Sequence, residues 1–153
     1  MVSETVSTFD CEMMSKAIQL AQKAIYSCPP NPAVGCVICR EGEIIGEGYT
    51  RPTGNNHAEI EALMNCSNPK GADVYVTLEP CLMCFGAMIH ARISNLFFGA
   101  AEPKSGIVTN KFLAKSGINL NHKITCEGGF LQDKCVFMMQ EFFHKKREQA
   151  RSV

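Results

Sequence analysis

Two apolar spacings alternate along this chain, and the alternation restricts the fold more than any other feature. Met14, Ala17, Ile18, Ala21, Ala24 and Ile25 recur at intervals of three and four, which predicts a helix over residues 10–26. Asp10 is its expected N-cap, and Pro29-Pro30 is expected to close it. Ala33 to Arg40 is apolar and β-branched, as in a buried strand. Glu41-Gly42 forms a tight turn, and Glu43 to Tyr49 returns as the hairpin partner. Residues 50–56 form a loop by their Pro, Gly and Asn content. A helix over Ala58–Cys66 and a strand over Ala72–Thr77 follow, and Pro80 is placed to open a helix from Cys81 to about Ala91. Ser94–Gly99 reads as a strand. Beyond it we expect a short helix over 111–115, a strand near Ile124 and a final helix from Asp133 to Arg151. That helix carries Val136, Phe137, Met139 and Phe143 and ends in basic residues. Strands that alternate with helices build an α/β layered domain, and the hairpin makes part of its sheet antiparallel.

At 153 residues the chain is the size of one domain, with an ordered core expected over about 10–150. Fifteen basic and fifteen acidic side chains cancel, which excludes a binder held to nucleic acid by bulk positive charge. No apolar run approaches the roughly 18 residues of a membrane span. The first ten residues have neither the basic region nor the apolar block of a secretory signal. Nine cysteines is an odd count for a disulfide framework. In a reducing cytoplasm, clustered cysteines serve as metal ligands or in catalysis.

One cluster has the required spacing. His57-Ala-Glu59 is followed by Pro80-Cys81-Leu-Met-Cys84. Zinc takes imidazole nitrogen and thiolate sulfur in a tetrahedron, and three protein ligands leave one position open for water. His57, Cys81 and Cys84 are those three candidates. Cys81 and Cys84 stand at i and i+3 at a helix start, so their sulfurs can meet. His57 and Glu59 would point roughly 200° apart on a regular helix, so both reach one metal only if it lies off the helix N-terminus. Two helix N-termini are therefore expected to converge there, their positive ends offsetting the two thiolates. Glu59 is the candidate base, moving a proton from water to substrate. The other pair, Cys36 and Cys39, lies three apart on a strand and faces opposite sides, which suits core thiols. Cys66, Cys126 and Cys135 sit among apolar neighbours, and His90 reads as a helix-face residue.

The pattern H-x-E followed by P-C-x-x-C is that of zinc nucleobase deaminases. Over roughly residues 11–147 the chain resembles the cytidine-deaminase-like superfamily. That resemblance implies a three-layer α/β/α fold with a central mixed sheet of about five strands. It further implies a single deaminase domain over 1–153, one Zn²⁺ per chain and a homodimer. The stretch from Val76 to Ile93 is similar to bacterial tRNA-specific adenosine deaminases. So are Phe98-Gly-Ala100, Lys104-Ser-Gly106, Asn121-His122 and Phe142-Phe143 with Lys146-Arg147. The implied reaction converts the wobble adenosine of tRNA to inosine. The implied anticodon-loop contacts are Lys104, Asn121 and His122, with Lys146 and Arg147 on the last helix. The first half resembles riboflavin-pathway pyrimidine deaminases instead, through Pro30-Asn-Pro-Ala-Val-Gly-Cys-Val-Ile38 and the spacing from Gly46-Glu-Gly48 to His57. Asn31 in that stretch is a candidate substrate contact, or else a turn residue between two prolines. Thr50 occupies a substrate-binding position at which the tRNA enzymes usually carry Asn.

Several readings stay open on these residues. The substrate is tRNA adenosine, a riboflavin-pathway pyrimidine, or a small base or nucleoside such as guanine, cytosine or cytidine. Only Leu82 and Met83 separate the zinc cysteines, whereas the riboflavin branch usually has a long insertion there. A reading from another class is a non-catalytic zinc-binding partner subunit, against which the presence of Glu59 speaks. Residues 141–153 carry Lys145, Lys146, Arg147 and Arg151 against Glu141 and Glu148, a net of +2. Such an end suits a few phosphate contacts or, more simply, a solvated helix terminus.

Overall fold

The computed structural model describes residues 7–26, 31–52, 54–109, 111 and 115–151, apart from the side chains of 145, 146, 149 and 150. Its helices are α1 (Thr8–Gln22), α2 (Ala58–Met64), α3 (Leu82–His90) and α4 (Gln132–Arg151). Its strands are β1 (Gly35–Arg40), β2 (Glu43–Tyr49), β3 (Asp73–Leu78), β4 (Asn95–Ala100) and β5 (Thr125–Gly128).

The five strands form one sheet in the order β2-β1-β3-β4-β5. β1 pairs antiparallel with both β2 and β3, and β3-β4 and β4-β5 are parallel. Period-two alternation divides the core. Cys36, Ile38, Val74 and Val76 face α2 and α3, while Val37, Cys39 and Tyr75 face α1 and α4. The fold is therefore the three-layer α/β/α arrangement with a mixed five-stranded sheet. Glu41 and Gly42 both have positive φ, 52° and 82°, as a two-residue hairpin turn demands. On β2 a Cβ at Gly48 would overlap the backbone of α2, so that helix lies directly on the hairpin.

Four expectations are corrected. Ser7, not Asp10, is the N-cap of α1: the Ser7 hydroxyl accepts the Asp10 N–H (3.1 Å), and the Asp10 carboxylate accepts the Ser7 N–H (3.2 Å). The helix also ends at Gln22, with its C-cap at Lys23. Pro80 precedes the cap rather than entering the first turn, because Cys81 is the N-cap of α3 in an extended conformation (φ −78°, ψ 173°). In α4 the buried residues are Cys135, Met138 and Phe142, whereas Phe137 and Phe143 are exposed. Two apolar stripes have helical spacing there, and packing against β4 selects the one that starts at Cys135. The helix stop expected at Pro29-Pro30 lies outside the described residues, as does most of the short helix expected over 111–115. Among the described residues no helix is long and apolar enough to cross a membrane.

Candidate active site

Two connections deliver the site. Leaving β2, residues 50–56 run into α2, whose N-cap is His57 (φ −67°, ψ 160°). Leaving β3, Glu79 and Pro80 lead to Cys81 at the cap of α3. Neither cap side chain makes the usual N-cap hydrogen bond, so the imidazole and the thiol are left for other partners. Arg51 and Asn56 in this connection are braced beside the site. Arg51 Nε lies 3.5 Å from Glu61, the Asn56 amide donates to Glu61 (3.1 Å), and the Arg51 guanidinium stacks 4.4 Å over the Tyr49 ring.

Two helix N-termini therefore meet, and His57, Cys81 and Cys84 bring their ligand atoms within 4.8 Å of one another. His57 Nδ1 is 3.4 Å from Cys84 Sγ and 3.9 Å from Cys81 Sγ. Tetrahedral zinc with Zn–S of about 2.3 Å and Zn–N of about 2.0 Å separates its S and N ligands by roughly 3.5 Å. The donor set thus fits zinc in both chemistry and spacing, and it could hold a metal ion. Cys84 is buried; Cys81 and His57 are partly exposed.

Glu59, in the first turn of α2, is 5% exposed. Burial, with the Cys81 thiolate adding to it, pushes its carboxyl up to about 7, against the pull of its backbone N–H and of His57. Donation from the Cys84 thiol holds Cys81 down at about 5, and the same bond raises Cys84. One sulfur is thus already a thiolate near neutral pH, as a metal ligand must be. The remaining thiols differ. Burial holds Cys39 and Cys135 up at about 12 and Cys126 at about 11, and it raises Cys36 well above the ordinary thiol value. Cys36 and Cys39 lie in the two core clusters on opposite faces of the sheet.

Above the cluster is a pocket of about 150 Å³ lined by Asn31, Thr50, His57, Glu59 and Cys81, with Glu79, Glu102 and Ser105 among the other walls. It is smaller than the roughly 300–1,000 Å³ of drug-sized ligand sites and suits a single heterocycle. The Thr50 hydroxyl accepts the Val34 N–H (2.9 Å) and donates to the Pro32 carbonyl (3.1 Å). It clamps the Asn31-bearing segment to the site, with its one proton already committed. Lys104 is exposed and does not line the pocket. Asn121 and His122 stand at the other end of the sheet. Asn121 accepts from Arg92 (3.2 Å), and the His122 ring donates to the carbonyl of Ile93, just before β4. Arg147 is exposed on α4, and the Lys146 side chain lies outside the described residues. His90 is exposed at the end of α3.

Sequence reasoning missed Glu79, Glu102 and Ser105. The Glu79 side chain is buried and lines the pocket. A carboxylate that directly follows a buried strand was the available signal.

Residues 7–100 match the family described as cytidine and deoxycytidylate deaminase zinc-binding region. The tRNA-specific adenosine deaminase of Haemophilus influenzae is 37% identical over 95% of this chain and 89% of its own. The riboflavin biosynthesis protein RibD of Actinobacillus pleuropneumoniae is 36% identical over 88% of this chain and 37% of its own. A solved structure from studies of A-to-I editing by tRNA:A34 deaminases superposes with a TM-score of 0.68 at 28% identity, covering 83% of this chain and 98% of that one.

Proposed function

Because the chain belongs to the cytidine and deoxycytidylate deaminase family of zinc-dependent hydrolases, we propose that it deaminates the wobble adenosine of tRNA to inosine. One observation carries the catalytic part: a buried carboxylate, Glu59, stands beside the His57, Cys81 and Cys84 cluster on the floor of a pocket the size of one base. Likeness to a tRNA-specific adenosine deaminase over nearly the whole chain supports the substrate.

In this reading His57, Cys81 and Cys84 hold one zinc ion per chain. Zinc there supplies the Lewis acidity that makes water a competent nucleophile near neutral pH. Glu59, with its carboxyl near 7, accepts a proton from the attacking water, gives it to a ring nitrogen and then assists the departing amine. Oxygen from water replaces the exocyclic amine, which leaves as ammonia. The pocket walls, Asn31 among them, orient the base, and Thr50 acts through the 32–34 segment it clamps. Lys104 adjoins pocket-lining Ser105 and is assigned to the RNA strand, as are Lys146 and Arg147 on α4. Asn121 and His122 are assigned to RNA only if the anticodon arm extends to the far end of the sheet.

The reading includes a homodimer and a cytoplasmic location. Leu82 and Met83, next to Cys81, are 51% and 57% exposed, an apolar pair that a second copy would cover. A second reading, a riboflavin-pathway pyrimidine as substrate, draws on Asn31 and Pro32, which line the pocket and belong to the stretch shared with that branch. Incubation of zinc-loaded protein with an anticodon stem-loop that carries wobble adenosine, read for inosine, separates the two.

A further inference from the structure

Glu79 is a buried carboxylate that the deamination chemistry leaves unused. It lies between β3 and Cys81 and is 3% exposed. A carboxylate at such depth needs partners, and those observed come from one distant segment. Its Oε1 accepts the backbone N–H of Glu102 (3.0 Å) and the hydroxyl of Thr109 (2.5 Å), and its Oε2 accepts the backbone N–H of Thr109 (2.5 Å). Residues 102 and 109 are thus tied to a single side chain. Between them, Gly106 sits against the carboxylate so closely that a Cβ there would overlap it. The Gly106 N–H returns to the Glu102 carbonyl (2.9 Å), and the Ile107 N–H donates to the Pro80 carbonyl (3.1 Å). The segment is wrapped around Glu79.

That segment supplies two pocket walls, Glu102 and Ser105, and Glu79 lines the pocket as well. The Glu102 carboxylate is fixed in turn, accepting the Lys104 N–H (3.0 Å). We propose that Glu79 is a positioning residue for the substrate pocket. By holding 102–109 it sets Glu102 and Ser105 as the wall, and so governs how tightly substrate binds. The inference rests on the reading that this pocket receives the base to be deaminated. A carboxylate suits the task because it is an acceptor only and faces three donors. Gln at this position would turn an NH₂ group toward one of them.

Two variants test it in the zinc-loaded full chain, with zinc content and thermal melting as controls: Glu79→Gln, and Thr109→Val, which removes one donor and keeps the backbone. Hydrogen exchange at the Glu102 and Thr109 amides needs no substrate; KM and kcat are measured on the wobble-adenosine stem-loop. Glu79→Gln is expected to speed exchange at those two amides about tenfold. It is also expected to raise KM about tenfold while kcat stays within about threefold. Thr109→Val should shift both readouts in the same direction by less, and it decides alone if Glu79→Gln does not fold. Unchanged exchange at these amides overturns the proposal, as does a fall in kcat with KM unchanged. Failure of the deaminase reading is seen separately, as wild-type protein that converts no stem-loop. Faster exchange would then still support the tether, and unchanged exchange would still overturn it.

Discussion

Replacing Glu59 by Gln should stabilise the metal-free protein, and only on the alkaline side. The carboxyl is pushed from an ordinary value of 4.5 up to about 7, chiefly by burial. The folded state therefore binds more protons than the unfolded one between those values, and stability falls as pH rises through that window. A displacement of this size corresponds to about 3 kcal/mol, absent below pH 4.5 and fully present by pH 8. Gln keeps the shape and lacks the titration. Urea unfolding of chelator-treated, reduced wild type and Glu59→Gln is the assay. The difference between them should grow by about 3 kcal/mol from pH 4.5 to pH 8, in favour of the variant. A difference that does not change with pH would refute the claim that Glu59 is held in a desolvated site against its own ionisation.

Two further perturbations address ligand and partner. Cys84→Ala should lose zinc after a chelator wash, whereas Cys36→Ala, which removes a core thiol on β1, should retain one zinc per chain; metal analysis by mass spectrometry reads both, and equal retention would contradict the assigned ligand set. Lys146→Ala with Arg147→Ala should lower the salt slope of stem-loop binding by about two, and an unchanged slope would remove this surface from the RNA interface.

Much of this was legible because the deciding signals are local. Alternation in Val37, Ile38 and Cys39, and again in Val74, Tyr75 and Val76, assigns residues to faces without knowledge of the partners. The two-residue offset of His57 and Glu59 already required a metal off a helix end, and the structure has that arrangement of groups. What was not legible depends on chain that is distant in sequence. Glu79 acquires its role from residues 102–109, more than twenty positions later. The two apolar stripes of α4 are equivalent until β4 is in place. Asn121 and His122 resemble site residues in sequence, but parallel pairing of β4 with β5 carries their segment to the end of the sheet away from Cys81. The Ser7 cap was obscured by Asp10, which serves as the reciprocal partner in the same box.

The most direct test of the account is conversion of wobble adenosine in an anticodon stem-loop by zinc-loaded protein, sequenced for inosine, with Glu59→Ala alongside. The account predicts inosine at that position from the wild type and none from the variant, with zinc content equal in both. No inosine from zinc-replete wild type would contradict the tRNA assignment, and inosine formed by Glu59→Ala would contradict the role given to the buried carboxylate.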